Sequence, residues 1–284
     1  MQHTVAKEVS IKGIGLHSGC ESIITIKPAP INHGIVFVRV DLPNKPQIRA
    51  TYDNVVDTRN CTCIGDKEGN IVSTIEHLMS ALAVCRVDNA LIEINNPEIP
   101  IMDGSALPFY QAIKNEGTIS LAAPRKLLKV LKPVRFNDNK GAVVELLPND
   151  EFAVSFTIDF PSKIVGHQEF SKPLSEDIYI SEVAPCRTFC EKYQVDYLKS
   201  LGLIRGGSLD NAVVLDGETI LNEGGFRVEN ECVNHKVIDA IGDIYTAGYQ
   251  VIGKLVASKS GHYHNNQILR ILLSDKTNYQ IIEE

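Results

Sequence analysis

Two stretches of this sequence set an imidazole beside a carboxylate at helical spacing. In the first, Ser73-Thr74-Ile75-Glu76-His77-Leu78-Met79, the acid and the imidazole are adjacent. In the second, His235, Asp239 and Asp243 stand at i, i+4 and i+8, so a helix lines all three along one face. Histidine and aspartate four apart on a helix are a standard way to offer two ligands to one cation. His77 would supply a third and leave a fourth position for water, as catalytic rather than structural zinc requires. Two nitrogens and one carboxylate suit zinc and also Fe(II). Each stretch also has a purely structural reading. Ser73 and Glu76 match the S-x-x-E box that closes a helix N-terminus, and the late row of polar residues equally suits a solvated stripe.

A third stretch, Ser258 to Asn266, reads as a loop between a strand and a helix and carries His262 and His264. In an extended chain both histidines fall on one side, so spacing does not choose between them. A surface loop with Asn265 capping the next helix is the structural alternative. Gly13-Ile14-Gly15-Leu16-His17-Ser18-Gly19 has the wrong glycine spacing for a phosphate loop and leads into a strand, so it is expected to be a hairpin turn. Gly206-Gly207-Ser208 is expected to be a turn as well. Cys186-Arg187-Thr188-Phe189 offers a hydroxyl and a guanidinium that suit either an anion or a buried ion pair. Cys61 and Cys63 form a C-x-C and Cys186 and Cys190 a C-x-x-x-C, but no C-x-x-C pair exists, so spacing argues against a structural zinc site.

These side chains must be positioned by strands and helices that the pattern largely announces. Alternation or branched residues mark strands over 5–11, 22–26 and 35–40, followed by a helix from Ser73 to about Cys85, a strand at 90–94 and a helix at 105–113. The segment 121–125, with Pro124, breaks the pattern. Strands are then expected at 127–136, 142–147 and 152–160, a helix at 231–247, a strand at 250–257 and a closing helix at 265–273. Strands followed by helix, strand and helix occur twice, which predicts two similar α+β layers facing one another across a cleft. Residues 191–216 are extra in the second half.

At 284 residues the chain is long enough for two domains. With 44% hydrophobic and 22% charged residues it is an ordinary globular composition. A net charge of −7 disfavours a nucleic-acid binder. No apolar run reaches 18 residues, no basic leader opens the chain, and the seven cysteines are odd in number, all of which predicts a soluble cytoplasmic protein.

Six motifs in order, namely 73–82, 98–105 (Glu98-Ile99-Pro100-Ile101-Met102-Asp103-Gly104-Ser105), Cys186-Arg187-Thr188-Phe189, Gly206 to Asn211, His235-Lys236-x-x-Asp239 and Ser260-Gly261-His262, resemble the UDP-3-O-acyl-N-acetylglucosamine deacetylases of lipid A biosynthesis over nearly the whole chain. The resemblance implies two α+β sandwich domains, here 1–121 and 125–284, with the site between them and an acyl passage formed by 191–216. It implies zinc, with Fe(II) as the alternative, on His77, His235 and Asp239, and Glu76 as the base acting on metal-bound water. His262 becomes the charged acid, Asp243 its orienting partner and Thr188 an oxyanion donor. Lys236 would hold the diphosphate, with Phe189 and Phe160 as further substrate contacts, Phe160 toward the uridine. His264 is outside the family pattern and is expected either to compete with His262 for the acid role or to bind a second metal. The partner implied is the acylated nucleotide sugar, with the lipid product near a membrane surface and the protein a monomer. Rival readings are a zinc amidohydrolase of another N-acetylated substrate and a non-catalytic nucleotide-sugar-binding homologue.

Overall fold

The computed structural model describes residues 1–284. It is an α+β fold with two larger sheets and three small ones. Strand β1 (His3–Val5) pairs with β10 (Thr118–Ser120), tying the start of the chain to the residues before the pattern break. The first larger sheet runs in the order β2 (Val9–Ile14), β3 (Glu21–Pro28), β9 (Ala90–Ile94), β4 (Ile35–Arg39), β5 (Gln47–Arg49). In β2 and β3 burial alternates, the mark of a sheet covered on one face, whereas β4 is buried at every residue, as its unbroken Ile-Val-Phe-Val run requires.

The second sheet repeats this plan. β12 (Val134–Asn137), β13 (Val143–Leu147), β19 (Gln250–Ser258), β14 (Phe152–Asp159) and β15 (His167–Pro173) pair antiparallel, antiparallel, parallel and antiparallel, the same sequence of pairings as in the first. β11 (Lys126–Val130) joins it parallel to β19, and β20 (Tyr279–Glu283) lies along β11. The small sheets are β6 (Val55–Asp57) with β7 (Cys63–Gly65) and β8 (Ile71–Val72), and β16 (Phe189–Glu191) with β17 (Val213–Asp216) and β18 (Thr219–Ile220).

The helices are α1 (Glu76–Val84), α2 (Leu107–Glu116), the single turn α3 (Glu176–Ile178), α4 (Lys192–Ser200), α5 (Glu231–Tyr245) and α6 (His262–Ser274). α5 and α6 pack on the second sheet, and α1 packs against both α2 and α5. The crossing of α1 and α5 is close because of Gly242, where a methyl group would overlap the Glu76 carbonyl oxygen. This contact places the front of α1 against the middle of α5.

Several expected boundaries move. The predicted 5–11 strand is two strands separated by Ala6-Lys7-Glu8, and the 127–136 strand is two strands separated at Lys132-Pro133, where proline offers no ladder donor. The first helix begins at Glu76 rather than Ser73. The last begins at His262 rather than Asn265, and β20 after it was not anticipated.

Candidate functional site

Glu76 and His77 occupy the first turn of α1, and both are buried. The expected capping box is absent. Ser73 Oγ donates to the Pro97 carbonyl at 3.1 Å, Thr74 takes a left-handed φ of 59°, and no side chain caps the helix. The Glu76 carboxylate is therefore free for another use. One oxygen accepts the Thr62 N–H at 3.0 Å, and burial lifts its carboxyl above the ordinary value, against the pull of His262 and His77.

α5 presents His235, Asp239 and Asp243, none more than 3% exposed, so the solvated-stripe reading fails. His77 Nε2 and His235 Nε2 each stand 3.5 Å from Asp239 Oδ1, and the two rings meet edge to face with centroids 5.0 Å apart. Burial lowers His235 to about 3, so the ring is neutral, and its Nδ1–H donates to the Cys186 carbonyl at 3.1 Å. That bond turns the Nε2 lone pair toward His77 and Asp239, as the outer partners of metal-binding histidines do. Burial opposes the charge of Asp239, yet Lys236 at 2.7 Å and His235 hold its carboxyl well below the ordinary range.

These three groups fit a tetrahedral divalent cation. Donors about 2.0–2.1 Å from such a centre stand about 3.4 Å apart. The observed 3.5 Å separations match that, and all three donor atoms lie within 4.8 Å of one another. Neither C-x-C nor C-x-x-x-C cysteines take part in a metal-capable group, and all seven cysteines are unpaired.

His262 is the first residue of α6, where the helix dipole and burial both oppose a positive ring. Asp243 overrides them. Its carboxylate meets His262 Nδ1 at 2.8 Å, Glu76 lies 3.9 Å from Nε2, and against its burial the ring is raised to about 9. Asp243 is itself fixed by Thr62 Oγ1 at 2.5 Å and by Asn265 Nδ2 at 2.9 Å. Asn265 is thus a buried interior residue of α6 and not its cap. His264 points elsewhere, toward Asp138, and does not line the main cavity.

That cavity, of about 650 Å³, is lined by Glu76, His77, His235, Lys236, Asp239 and His262 at one end. Thr188, just before β16, and Phe189 within it also line the wall. Lys236 borders the cavity with its ammonium bonded to Asp239 and 5.9 Å from the Phe189 ring. Phe160 does not reach it; the ring packs edge-on against Phe189 at 5.5 Å, behind the wall. Val195, Leu198, Ile204, Leu209 and Ala212 of the 191–216 segment give the cavity an apolar arm, flanked by Lys192, Gln194 and Lys199 of the same segment, while Tyr193 and Leu201 face outward. Arg187 is no anion site: it forms a buried pair with Glu231 at 2.8 Å.

Three positions escaped the reading of the sequence. His17, in the turn between β2 and β3, lines the cavity with both ring nitrogens buried and unpartnered, and burial lowers its pKa. Its signal was a lone histidine between turn glycines. Thr62 lies between Cys61 and Cys63, whose C-x-C spacing points to a metal site instead, and Asn265 stands where a helix cap is expected.

A family model described as UDP-3-O-acyl N-acetylglycosamine deacetylase matches residues 2–274. A protein of Shewanella sp. (strain W3-18-1) is 44% identical over 284 residues, covering 99% of this chain and 92% of its own. One of Idiomarina loihiensis is 43% identical over the same shares, and one of Photobacterium profundum is 43% identical over 98% and 92%. All three are named UDP-3-O-acyl-N-acetylglucosamine deacetylase.

Proposed function

We infer, since the chain belongs to the UDP-3-O-acyl-N-acetylglucosamine deacetylase family, that it hydrolyses the N-acetyl group of UDP-3-O-acyl-N-acetylglucosamine to the amine and acetate in lipid A biosynthesis. The observation that carries this reading is the convergence of three ligand-type donors, Glu76 and His262 at one end of a cavity whose other arm is apolar.

His77, His235 and Asp239 would hold zinc, which would supply Lewis acidity toward an amide carbonyl and lower the pKa of water. The chain's own groups do the rest. Glu76, whose carboxyl burial makes more basic, takes a proton from the attacking water. His262 enters charged, with Nδ1–H held by Asp243, so Nε2–H is the donor left for the developing oxyanion and then for the departing amine. One proton is gained at Glu76 and one is lost at His262, which balances amide hydrolysis. Thr188 supports the oxyanion with its hydroxyl, and Lys236 offers its ammonium to the diphosphate from the cavity edge. The apolar arm along α4 takes the acyl chain. We place the protein in the cytoplasm: its seven cysteines are all thiols, which a reducing compartment preserves. No helix is long and apolar enough to cross a membrane.

The test is acetate release from UDP-3-O-acyl-N-acetylglucosamine by purified protein, with metal content measured in parallel. Activity that a chelator removes, that zinc restores, and that Glu76→Ala lacks is expected. Turnover in Glu76→Ala equal to wild type refutes the assignment of the base, and absence of acetate with fully loaded protein refutes the substrate.

A further inference from the structure

His264 follows His262 by two residues in the first turn of α6, and both of its ring nitrogens are engaged. The Gly261 N–H donates to Nδ1 at 3.2 Å. A nitrogen that accepts carries no proton, so the neutral ring has its hydrogen on Nε2, which lies 3.1 Å from Asp138 Oδ2. Asp138 follows β12, and its other oxygen accepts the backbone N–H groups of Lys140 and Ala142 at 2.8 and 2.9 Å, closing the turn between β12 and β13. The ring is also flanked by Phe136 of β12, with centroids 6.0 Å apart. A continuous path of hydrogen bonds thus runs from the β12–β13 turn through one imidazole to the backbone that starts α6.

That start needs holding. Gly261 is the residue before the first turn, and its N–H has no backbone acceptor. Two residues earlier, Lys259 adopts a left-handed φ of 54°, a conformation that persists in a non-glycine residue only where surrounding contacts impose it. The histidine occupies the position where a glutamine or glutamate ordinarily reaches back to the N-cap N–H, and performs the same task with a second bond to spare.

We propose that His264 is a positioning residue: by clamping the Gly261 N–H to the Asp138 carboxylate it fixes where α6 begins, and so aligns His262 between Asp243 and the cavity. It holds His262 in register and takes no proton from the substrate. The assignment rests on the proposed deacetylation, in which His262 donates.

The experiment measures kcat, KM and zinc content for zinc-loaded wild type, His262→Ala, His264→Ala, His264→Gln and Asp138→Asn with UDP-3-O-acyl-N-acetylglucosamine. His264→Ala is expected to lower kcat by about tenfold, the scale of a misaligned proton donor, with KM and zinc content unchanged. His264→Gln recovers most of the loss, because its amide oxygen can accept from Gly261 while its NH2 donates to Asp138. Asp138→Asn lowers kcat as His264→Ala does: whichever way the new amide lies, one of its N–H donors faces another donor. An unchanged kcat in His264→Ala, or equal losses in the alanine and glutamine variants, overturns the proposal. If His264→Ala does not fold, Asp138→Asn decides, and wild-type kcat there overturns it. Full activity in His262→Ala instead overturns the functional reading on which the clamp depends.

Discussion

Asp243→Asn isolates what the buried carboxylate does to His262. The asparagine keeps the size of the side chain and removes its charge. In the wild type the ring rises from 6.5 to about 9, which corresponds to about 3 kcal/mol in favour of the charged form. Burial opposes that rise and Asp243 is the largest contribution raising it, followed at longer range by Glu76 and Asp239. Removing the charge takes away the largest contribution that raises the ring, so its pKa falls from that raised value. Because the charged ring is the donor in the proposed mechanism, the descending limb of kcat/KM lies at lower pH in the variant than in the wild type. Above both limbs each pKa unit of separation lowers the charged fraction about tenfold, whereas well below both limbs the two rings are almost fully charged and the activities converge. A bound cation adds positive charge near both rings and lowers the two limbs together, leaving their separation. The same linkage acts on stability: a raised histidine stabilises the fold fully below 6.5 and loses that contribution as pH rises through about 9. The charge-dependent gap in melting temperature between metal-free wild type and variant therefore closes above that pH. The assay is acetate release across pH 5.5 to 10. Coincident descending limbs would show that His262 is not the group whose protonation limits turnover.

Three further perturbations test how the site is held. Gly242→Ala forces α1 away from α5 by overlap with the Glu76 carbonyl, so it should lower zinc stoichiometry by more than half and kcat with it; a fully loaded variant would refute the role of that crossing. Arg187→Ala leaves the wholly buried Glu231 carboxylate without its cation, held only by backbone N–H groups, and is expected to cost about 3–5 kcal/mol of stability, read by denaturant melts. Leu198→Asp places a charge in the apolar arm and should cut kcat/KM at least tenfold for a long-acyl substrate while leaving a short-acyl analogue within about twofold, since one desolvated charge outweighs several methylenes.

The parts legible in the sequence are those where one local period carries the chemistry. On α5 the 3.6-residue repeat is enough to align His235, Asp239 and Asp243, whatever packs outside, and the repeated order of strands and helices foreshadows two sheets that share a five-strand run of the same pairings. What the period does not reveal is burial. α5 has an apolar side and a polar side, yet only Lys236 escapes burial, because its polar side meets the front of α1 and not water. The misreadings share a cause: a local motif overridden by a distant partner. Ser73 and Glu76 satisfy the sequence signature of a cap, but Pro97 takes the serine and Thr62 takes the glutamate, 14 residues away. Ser258 to Asn266 reads as loop because glycine and serine precede two histidines, but the N-cap bond to His264 starts the helix there. In that helix His262 and His264 are two residues, about 200° of turn, apart, and so serve different neighbours, where an extended chain would have aimed them alike. The backbone thus sets apart two histidines that spacing left alike: His262 lines the cavity, and His264 accepts the Gly261 N–H.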